Sequence, residues 1–408
     1  MNVRTFDIVV PTIGRPSLDT LLDALARSEG PRPGRVLVVD DRRNPGEPLP
    51  IASSHWSSLP LVVLRGHGAG PASARNVGWR ASRADAVAFL DDDVVPDRDW
   101  LARLADDLGA LGPDDAGSQG RIRVPRPEGR APTDRERHVI GLEKVPWATA
   151  DMAYRRRALA RVGGFDERFP RAYREDADLA LRVMNAGFAL TRGVRTVTHP
   201  VRPADRWSSA RLQAGNVDDA LMWALHGAAW AEHAGAPRGR RSLHLGTVAL
   251  ALIALGATAV GRRTFGAVAA SAWLAATGGF AWARIAPGPR SCDEVRAIIA
   301  TSVAIPFAAT YWWLRGLLTV RRRLSLEERY RLQARLDRSL RGTVRALVAD
   351  RVGVLRVRRR PSGAARNSYA RSSAARPGAR AKSRLSAPWR SWRHASQAPH
   401  DMNPAAVR

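Results

Sequence analysis

Ala86-Val87-Ala88-Phe89-Leu90-Asp91-Asp92-Asp93 decides how this chain is read: an apolar run that stops at three consecutive aspartates. Three carboxylates in a row at a strand end raise one another's pKa or recruit a cation. A hard divalent ion held by one or two carboxylates together with phosphate oxygens is the usual solution. Asp91 and Asp93 lie two apart, so on an extended backbone they share one side. An acidic turn that caps the next helix is the competing reading of the same triplet.

Working outward, Asp7-Ile8-Val9-Val10 is a second apolar run, closed by Pro11-Thr12, and Val36–Val39 is a third, closed by Asp40-Asp41. Leu61–Leu64 reads as a further strand. Between them Ser17 reads as the cap of a helix with Leu18, Leu21, Leu22 and Leu25 on one face, and Ala72–Ser82 as another helix. Continuous apolar strands alternating with amphipathic helices argue for an α/β fold with a parallel sheet covered on both faces. In such sheets ligands bind beyond the carboxyl ends of the strands, where these polar residues fall. The stretch Gly117–Pro200 is less regular. It holds Gly163-Gly164-Phe165-Asp166-Glu167, then Glu175-Asp176, a helix-like segment Leu179–Asn185 and a late strand Val194–His199.

Each candidate has two readings. Asp40 or Asp41 either accepts hydrogen bonds from a nucleoside or caps a turn. Arg75, in the helix that follows Gly70, either reaches a diphosphate at a helix N-terminus or lies on an ordinary helix surface. Glu175 and Asp176 supply a general base or cap a helix. His199 is a metal ligand or a structural histidine.

Composition bounds the rest. One cysteine, Cys292, excludes an internal disulfide framework and a cysteine-rich zinc site, and fits a reducing compartment. The net charge of +27 is uneven, with 23 Lys/Arg against 5 Asp/Glu from Arg321 to Arg408, and the only lysines are Lys144 and Lys382. Such a tail suits anionic lipid or nucleic acid, or is simply solvated. It has few aromatics to stack bases, which disfavours nucleic acid. The polar start, Met1–Phe6, is unlike a secretory signal, so the N-terminal part is expected in the cytoplasm.

Three segments, Ser242–Gly261, Thr264–Ala283 and Ala297–Leu314, carry no formal charge and reach membrane-span length. They read as membrane-associated; buried helices of a soluble second domain are the alternative. If all three spanned, the basic tail would lie opposite the cytoplasm, against the positive-inside tendency. One segment is therefore expected to be interfacial or re-entrant. Leu324–Val348 reads as an Arg-rich amphipathic surface helix, and the chain beyond Pro361 as disordered. The expected organisation is a catalytic domain over 1–235, hydrophobic helices over 236–320, a basic helix over 321–360 and a tail over 361–408.

Taken in order, Val9-Val10-Pro11-Thr12, Val38-Val39-Asp40-Asp41, Ala74-Arg75-Asn76-Val77-Gly78, Phe89-Leu90-Asp91-Asp92-Asp93, Gly163-Gly164-Phe165-Asp166-Glu167, Glu175-Asp176 with Asp178-Leu179, and His199 resemble the family 2 glycosyltransferases of the GT-A fold, whose sheet is mixed. The resemblance covers residues 5–235. It implies a nucleotide-diphosphate sugar donor and a Mg²⁺ or Mn²⁺ ion. By position it implies donor contacts from Pro11, Thr12, Asp41 or Asp40, Arg75, Asp91 and Asp92. It implies metal contacts from Asp91 and Asp93, joined by His199, and a base at Asp176 or, second, Glu175. The acidic middle residue, Asp92, obscures which two of the triplet ligate. Trp147 and Asp151 are acceptor-side candidates, with a core role open for Trp147, and Trp207, Arg211 and Gln213 lie where a loop would close over the donor. The implied reaction is one inverting displacement onto a carbohydrate or lipid-linked acceptor in cell-envelope synthesis, at the cytoplasmic face of the membrane. A sugar nucleotidyltransferase and a catalytically inactive relative are the competing classes.

Overall fold

A computed structural model describes residues 3–237 and 239–336. Its centre is an eight-stranded mixed sheet in the order β3-β2-β1-β4-β7-β6-β8-β5. The strands are β1 Phe6–Thr12, β2 Val36–Asp40, β3 Leu61–Arg65, β4 Ala86–Leu90, β5 Val95–Pro96, β6 Asp115–Arg123, β7 Asp151–Arg155 and β8 Ala189–Thr198. The architecture is α/β with a mixed sheet, as the resemblance implies.

β1 to β4 are mutually parallel, as the apolar runs predict. β7 then breaks the pattern by running antiparallel between β4 and β6, with Leu90 opposite Asp151. Alternate residues of β1 and β2 face opposite layers. Ile8, Val10, Val36 and Val38 pack on the helix Ser17–Arg27 through Leu18, Leu21, Leu22 and Leu25. Val9, Leu37 and Val39 pack with Trp79, Phe89, Tyr154 and Phe165 on the other face. Every residue of β4 is buried. Burial on both faces is what makes these strands continuous apolar runs.

The register sets Thr12 opposite Asp40, so the ends of β1 and β2 are level and their polar residues emerge at one edge. The helix Pro71–Ala81 begins at that edge, after Gly70 in a left-handed conformation at φ 102°. Ser17 does not cap the first helix. Pro16 occupies the cap position, and the Ser17 hydroxyl is buried without a hydrogen-bond partner. The Glu175 helix starts four residues earlier than its apolar spacing suggests and runs Glu175–Asn185.

The charge-free segments form three helices, Arg241–Ala259, Arg263–Ile285 and Cys292–Arg323, each long and apolar enough to cross a membrane. The first two pair as an antiparallel hairpin around Gly261, with His244 stacked edge-on against Phe280 at 5.2 Å. Residues 326–336 are again helical. The remainder of the expected Leu324–Val348 helix, and the tail beyond Pro361, lie outside the described residues.

Candidate active site

A cavity of about 440 Å³ opens at the carboxyl ends of β1, β2 and β4. The three aspartates split there. Asp92 turns inward: it accepts hydrogen bonds from the Thr12 hydroxyl at 2.6 Å and from Arg15 at 2.6 Å, and is 1% exposed. It ties the end of β4 to the end of β1. All three line the cavity, Asp91 in the grip of Arg75 and Asp93 beside His199 and Arg202.

Asp93 has Arg202 Nε at 2.9 Å and His199 Nε2 at 3.8 Å, yet its buried Oδ2 makes no hydrogen bond of proper geometry. Burial raises the Asp93 pKa, and the neighbouring Asp91 charge adds to the rise. His199 Nδ1 lies 3.2 Å from the Pro200 carbonyl. A carbonyl only accepts, so the Nδ1 proton is assigned to that contact, and Nε2 faces Asp93. Among the described residues no three His, Cys, Asp or Glu side chains form a ready metal cage. The charge opposite Asp93 is supplied here by Arg202; Asp91, Asp93 and His199 are the side chains that a divalent ion taking its other ligands from water and phosphate oxygens would meet.

Arg75 lines the cavity but is 1% exposed. Its Nη1 donates to Glu175 at 2.9 Å and its Nη2 to Asp91 at 2.7 Å, and its guanidinium lies over the Phe165 ring. With both terminal nitrogens engaged, Arg75 positions two acids. Its buried Nε has no hydrogen-bond partner.

Glu175 is buried, and its Oε2 has no hydrogen-bond partner. Burial first, and the Asp176 charge second, push its pKa up to about 8. Asp176 is half-buried and accepts the Ala177 N–H at 2.7 Å. Burial raises its pKa as well. Where two acids share one site, the more deeply buried keeps the proton. The pair therefore holds protons more tightly than two exposed acids would, and the more deeply buried Glu175 is the side on which a shared proton is favoured. The turn before them is held by Arg174 at φ 77°, whose guanidinium lies over Tyr173 at 4.3 Å and Trp230 at 4.7 Å and pairs with Asp219 at 2.9 Å.

The remaining motifs brace this arrangement. Asn76 accepts from the Phe165 N–H at 2.9 Å and Trp79 Nε1 at 2.8 Å, and donates to the Phe165 carbonyl at 2.9 Å and Glu167 at 2.7 Å. Gly164, at φ 76°, sits against Asn76 and Trp79 where a Cβ would collide with both. Asp41 lines the cavity while accepting the N–H groups of Gly68 and Gly70, both at 2.8 Å, so it shapes the loop ahead of the Pro71 helix. Asp40 does not line the cavity. It pairs with Arg42 at 2.7 Å, which lowers its pKa.

Two expected site residues belong elsewhere. Asp151 is 0% exposed and accepts from Trp100 Nε1 at 2.9 Å and Arg195 Nε at 2.7 Å. It is a core ion pair, not an acceptor-side acid. Trp147, at φ 66°, is buried with Phe89 and Tyr154 and donates its N–H to Gln119 at 2.7 Å. Ala148, Thr149 and Ala150 line the cavity in their place. Trp207, Arg211 and Gln213 also lie off its lining; Arg211 pairs with Asp205, and Gln213 donates to the Ser209 carbonyl. The cavity instead gathers Arg15, Arg135, His138, Arg171 and Arg202. None of these stands out in the sequence.

Residues 7–179 match the family model described as Glycosyl transferase family 2. A pre-mycofactocin glycosyltransferase of Mycobacterium tuberculosis, from strains CDC 1551 and H37Rv, is 36% identical over 174 residues. That alignment covers 38% of this chain and 35% of the relative, so the chain spans about a third of the length of the curated relatives it matches. A mannosyltransferase of Pyrobaculum calidifontis, solved with GDP-Man and Mn²⁺, aligns over 79% of this chain and 86% of its own at 16% identity and a TM-score of 0.39, a likeness too slight to argue from.

Proposed function

We propose, from the match of residues 7–179 to the glycosyl transferase family 2 model, that the chain moves a sugar from a nucleoside-diphosphate donor to a hydroxyl acceptor in a single inverting displacement. The observation that carries this reading is the composition of one cavity: Asp91 and Asp93 at a strand end, with Asp176 at a helix start on its wall. Pro11, Thr12 and Asp41 line the side where the nucleoside would lie. Asp91 and Asp93, with His199, would hold a Mg²⁺ or Mn²⁺ ion, which neutralises charge on the leaving diphosphate. Arg202 and Arg135 add positive charge on the same wall.

Asp176 is the base. The acceptor oxygen attacks the anomeric carbon from the face opposite the diphosphate. The bond from that carbon to the diphosphate oxygen breaks, and the hydroxyl proton passes to the Asp176 carboxylate. Burial favours a proton on Glu175 against the pull of Arg75, which leaves Asp176 as the carboxylate that takes the acceptor's proton. The apolar helices favour a membrane-associated enzyme acting on a lipid-linked or other cell-envelope glycan, with residues 1–235 facing the cytoplasm. The relative's name makes pre-mycofactocin one acceptor worth testing.

The test is nucleoside diphosphate release by the purified full chain with a panel of nucleotide sugars, with and without Mn²⁺ or Mg²⁺. Metal-dependent release that is lost in Asp93→Ala is expected. Release of pyrophosphate from a nucleoside triphosphate and a sugar phosphate would make the protein a nucleotidyltransferase instead. No release from any donor, with or without acceptors, would favour the inactive-relative reading.

A further inference from the structure

The helix Cys292–Arg323 has the length and hydropathy of a membrane span, yet it touches the catalytic domain from end to end. Near its start Glu294 accepts the backbone N–H of Asp134 at 2.6 Å. Asp134 opens the helix whose Arg135, His138 and Val139 line the cavity. Further along, Gly316 lies so close to the helix Asn216–His226 that a Cβ there would fall 2.8 Å from the Val217 carbonyl oxygen. At its end Arg323 pairs with Asp218 at 2.8 Å, and just beyond it Glu328 pairs with Arg168 at 2.7 Å.

From Glu294 to Arg323 the helix rises about 44 Å at 1.5 Å per residue. A bilayer's hydrocarbon layer is about 30 Å thick. A helix that crosses it delivers its two ends to opposite faces, and one soluble domain on one face does not reach both. The hairpin is different. Arg241 at its start pairs with Asp219 at 3.6 Å, and Arg284 at its end pairs with Asp134 at 2.7 Å, so both ends stand on the catalytic domain. Its helices of 19 and 23 residues are about 28 and 35 Å long, the length of a crossing and a return.

We infer that only the hairpin enters the bilayer, and that Cys292–Arg323 lies in the membrane surface as a lipid-binding bracket under the catalytic domain. One face of that helix, through Ile298, Ile305, Ala309 and Val320, is buried against the protein. The other presents Ile299, Val303, Phe307, Tyr311, Leu314 and Leu318, an exposed apolar stripe at intervals of three and four residues. Arg315 lies within its last turns and Arg321–Arg323 follow it. An apolar face flanked by arginines fits an anionic phospholipid surface. The arrangement also settles the charge asymmetry. Arg240, Arg241, Arg284, Arg290 and Arg321–Arg323 fall on the catalytic side, and only Arg262 and Arg263, at the hairpin turn, cross over, in agreement with the positive-inside tendency.

This inference rests on the membrane association proposed above, and labelling separates the two. The native Cys292 is exposed at the start of the helix. In a Cys292→Ser background, Ser325→Cys marks the far end, Arg262→Cys the hairpin turn and Ser53→Cys the catalytic domain. Sealed vesicles carrying each full-length protein are treated with a membrane-impermeant maleimide, before and after permeabilisation. Cys292 and Ser325→Cys are expected to react from the same face as Ser53→Cys, and Arg262→Cys only after permeabilisation. Reaction of Cys292 and Ser325→Cys from opposite faces would overturn the bracket while leaving membrane association intact. Failure of the protein to float with vesicles would overturn both, and reaction of Arg262→Cys from the catalytic face would overturn the inserted hairpin on which the bracket depends. A fluorophore on Phe307→Cys should be quenched by spin labels at headgroup depth; unquenched fluorescence would mean that the stripe meets protein, not lipid.

Discussion

Replacing Glu175 by glutamine removes a buried ionisable carboxyl while keeping an oxygen for Arg75 to donate to. The side chain is 2% exposed, its Oε1 lies 2.9 Å from Arg75, and its Oε2 has no partner to lose. Burial lifts the pKa from 4.5 to about 8. A carboxyl whose folded pKa exceeds its unfolded one binds its proton more tightly in the folded state. Its contribution to stability is fully present below pH 4.5 and is lost as pH rises through about 8. At about 1.4 kcal/mol per unit, the shift sets a ceiling of about 5 kcal/mol on that loss. Glutamine does not ionise, so this part of the pH dependence disappears; the part due to Asp176 remains. Urea unfolding of the full chain in detergent, followed by fluorescence of the buried Trp79 and Trp100, should give similar stabilities at pH 5. At pH 8.5 the variant should be more stable than wild type by about 2–5 kcal/mol. Equal pH slopes in the two proteins would refute the assignment of the proton to Glu175.

Three further outcomes follow from the contacts. Asp151→Ala leaves the buried Arg195 short of a partner, and should cost about 3–5 kcal/mol in unfolding free energy; a raised acceptor KM at unchanged stability would restore Asp151 to the site. Asp93→Asn should abolish the divalent-ion dependence of donor binding measured by calorimetry. Asp92→Asn should keep that dependence and lose about 1–3 kcal/mol of stability through Thr12 and Arg15. Asn76→Ala strands the Phe165 backbone and the Trp79 N–H, and should lower stability by about 2–4 kcal/mol with an unchanged urea m value.

Much of the fold is legible because β1, β2 and β4 are buried on both faces and end at residues of opposite character, Pro11, Asp40 and Asp91. β7 is not. Asp-Met-Ala-Tyr-Arg begins and ends with charges, and both are buried through distant partners: Asp151 through Arg195, and Arg155 through the Leu111 carbonyl at 2.9 Å. A buried ion pair with a partner 44 residues away leaves no local trace, so Asp151 looks like a site acid from sequence. The same limit explains Asp92, whose partner Thr12 lies 80 residues back. Motif order brings the acids to one cavity, but it does not say which acid each arginine holds. In a chain whose positive charge is almost all arginine, Arg135 and Arg202 do not stand out. The helix Cys292–Arg323 hides its role in another way. Both of its faces are apolar, one against protein and one outward, so its periodicity resembles that of a span.

The most direct test of the central claim compares Asp176→Asn with wild type under saturating nucleotide sugar, divalent metal and acceptor, with donor affinity measured alongside. Loss of proton transfer to a positioned base predicts a kcat lower by about 10²–10⁴ and a donor Kd close to wild type. An unchanged kcat would contradict the account, because the proton would then leave through another group and the acid pair at the start of the Glu175 helix would not be the catalytic base.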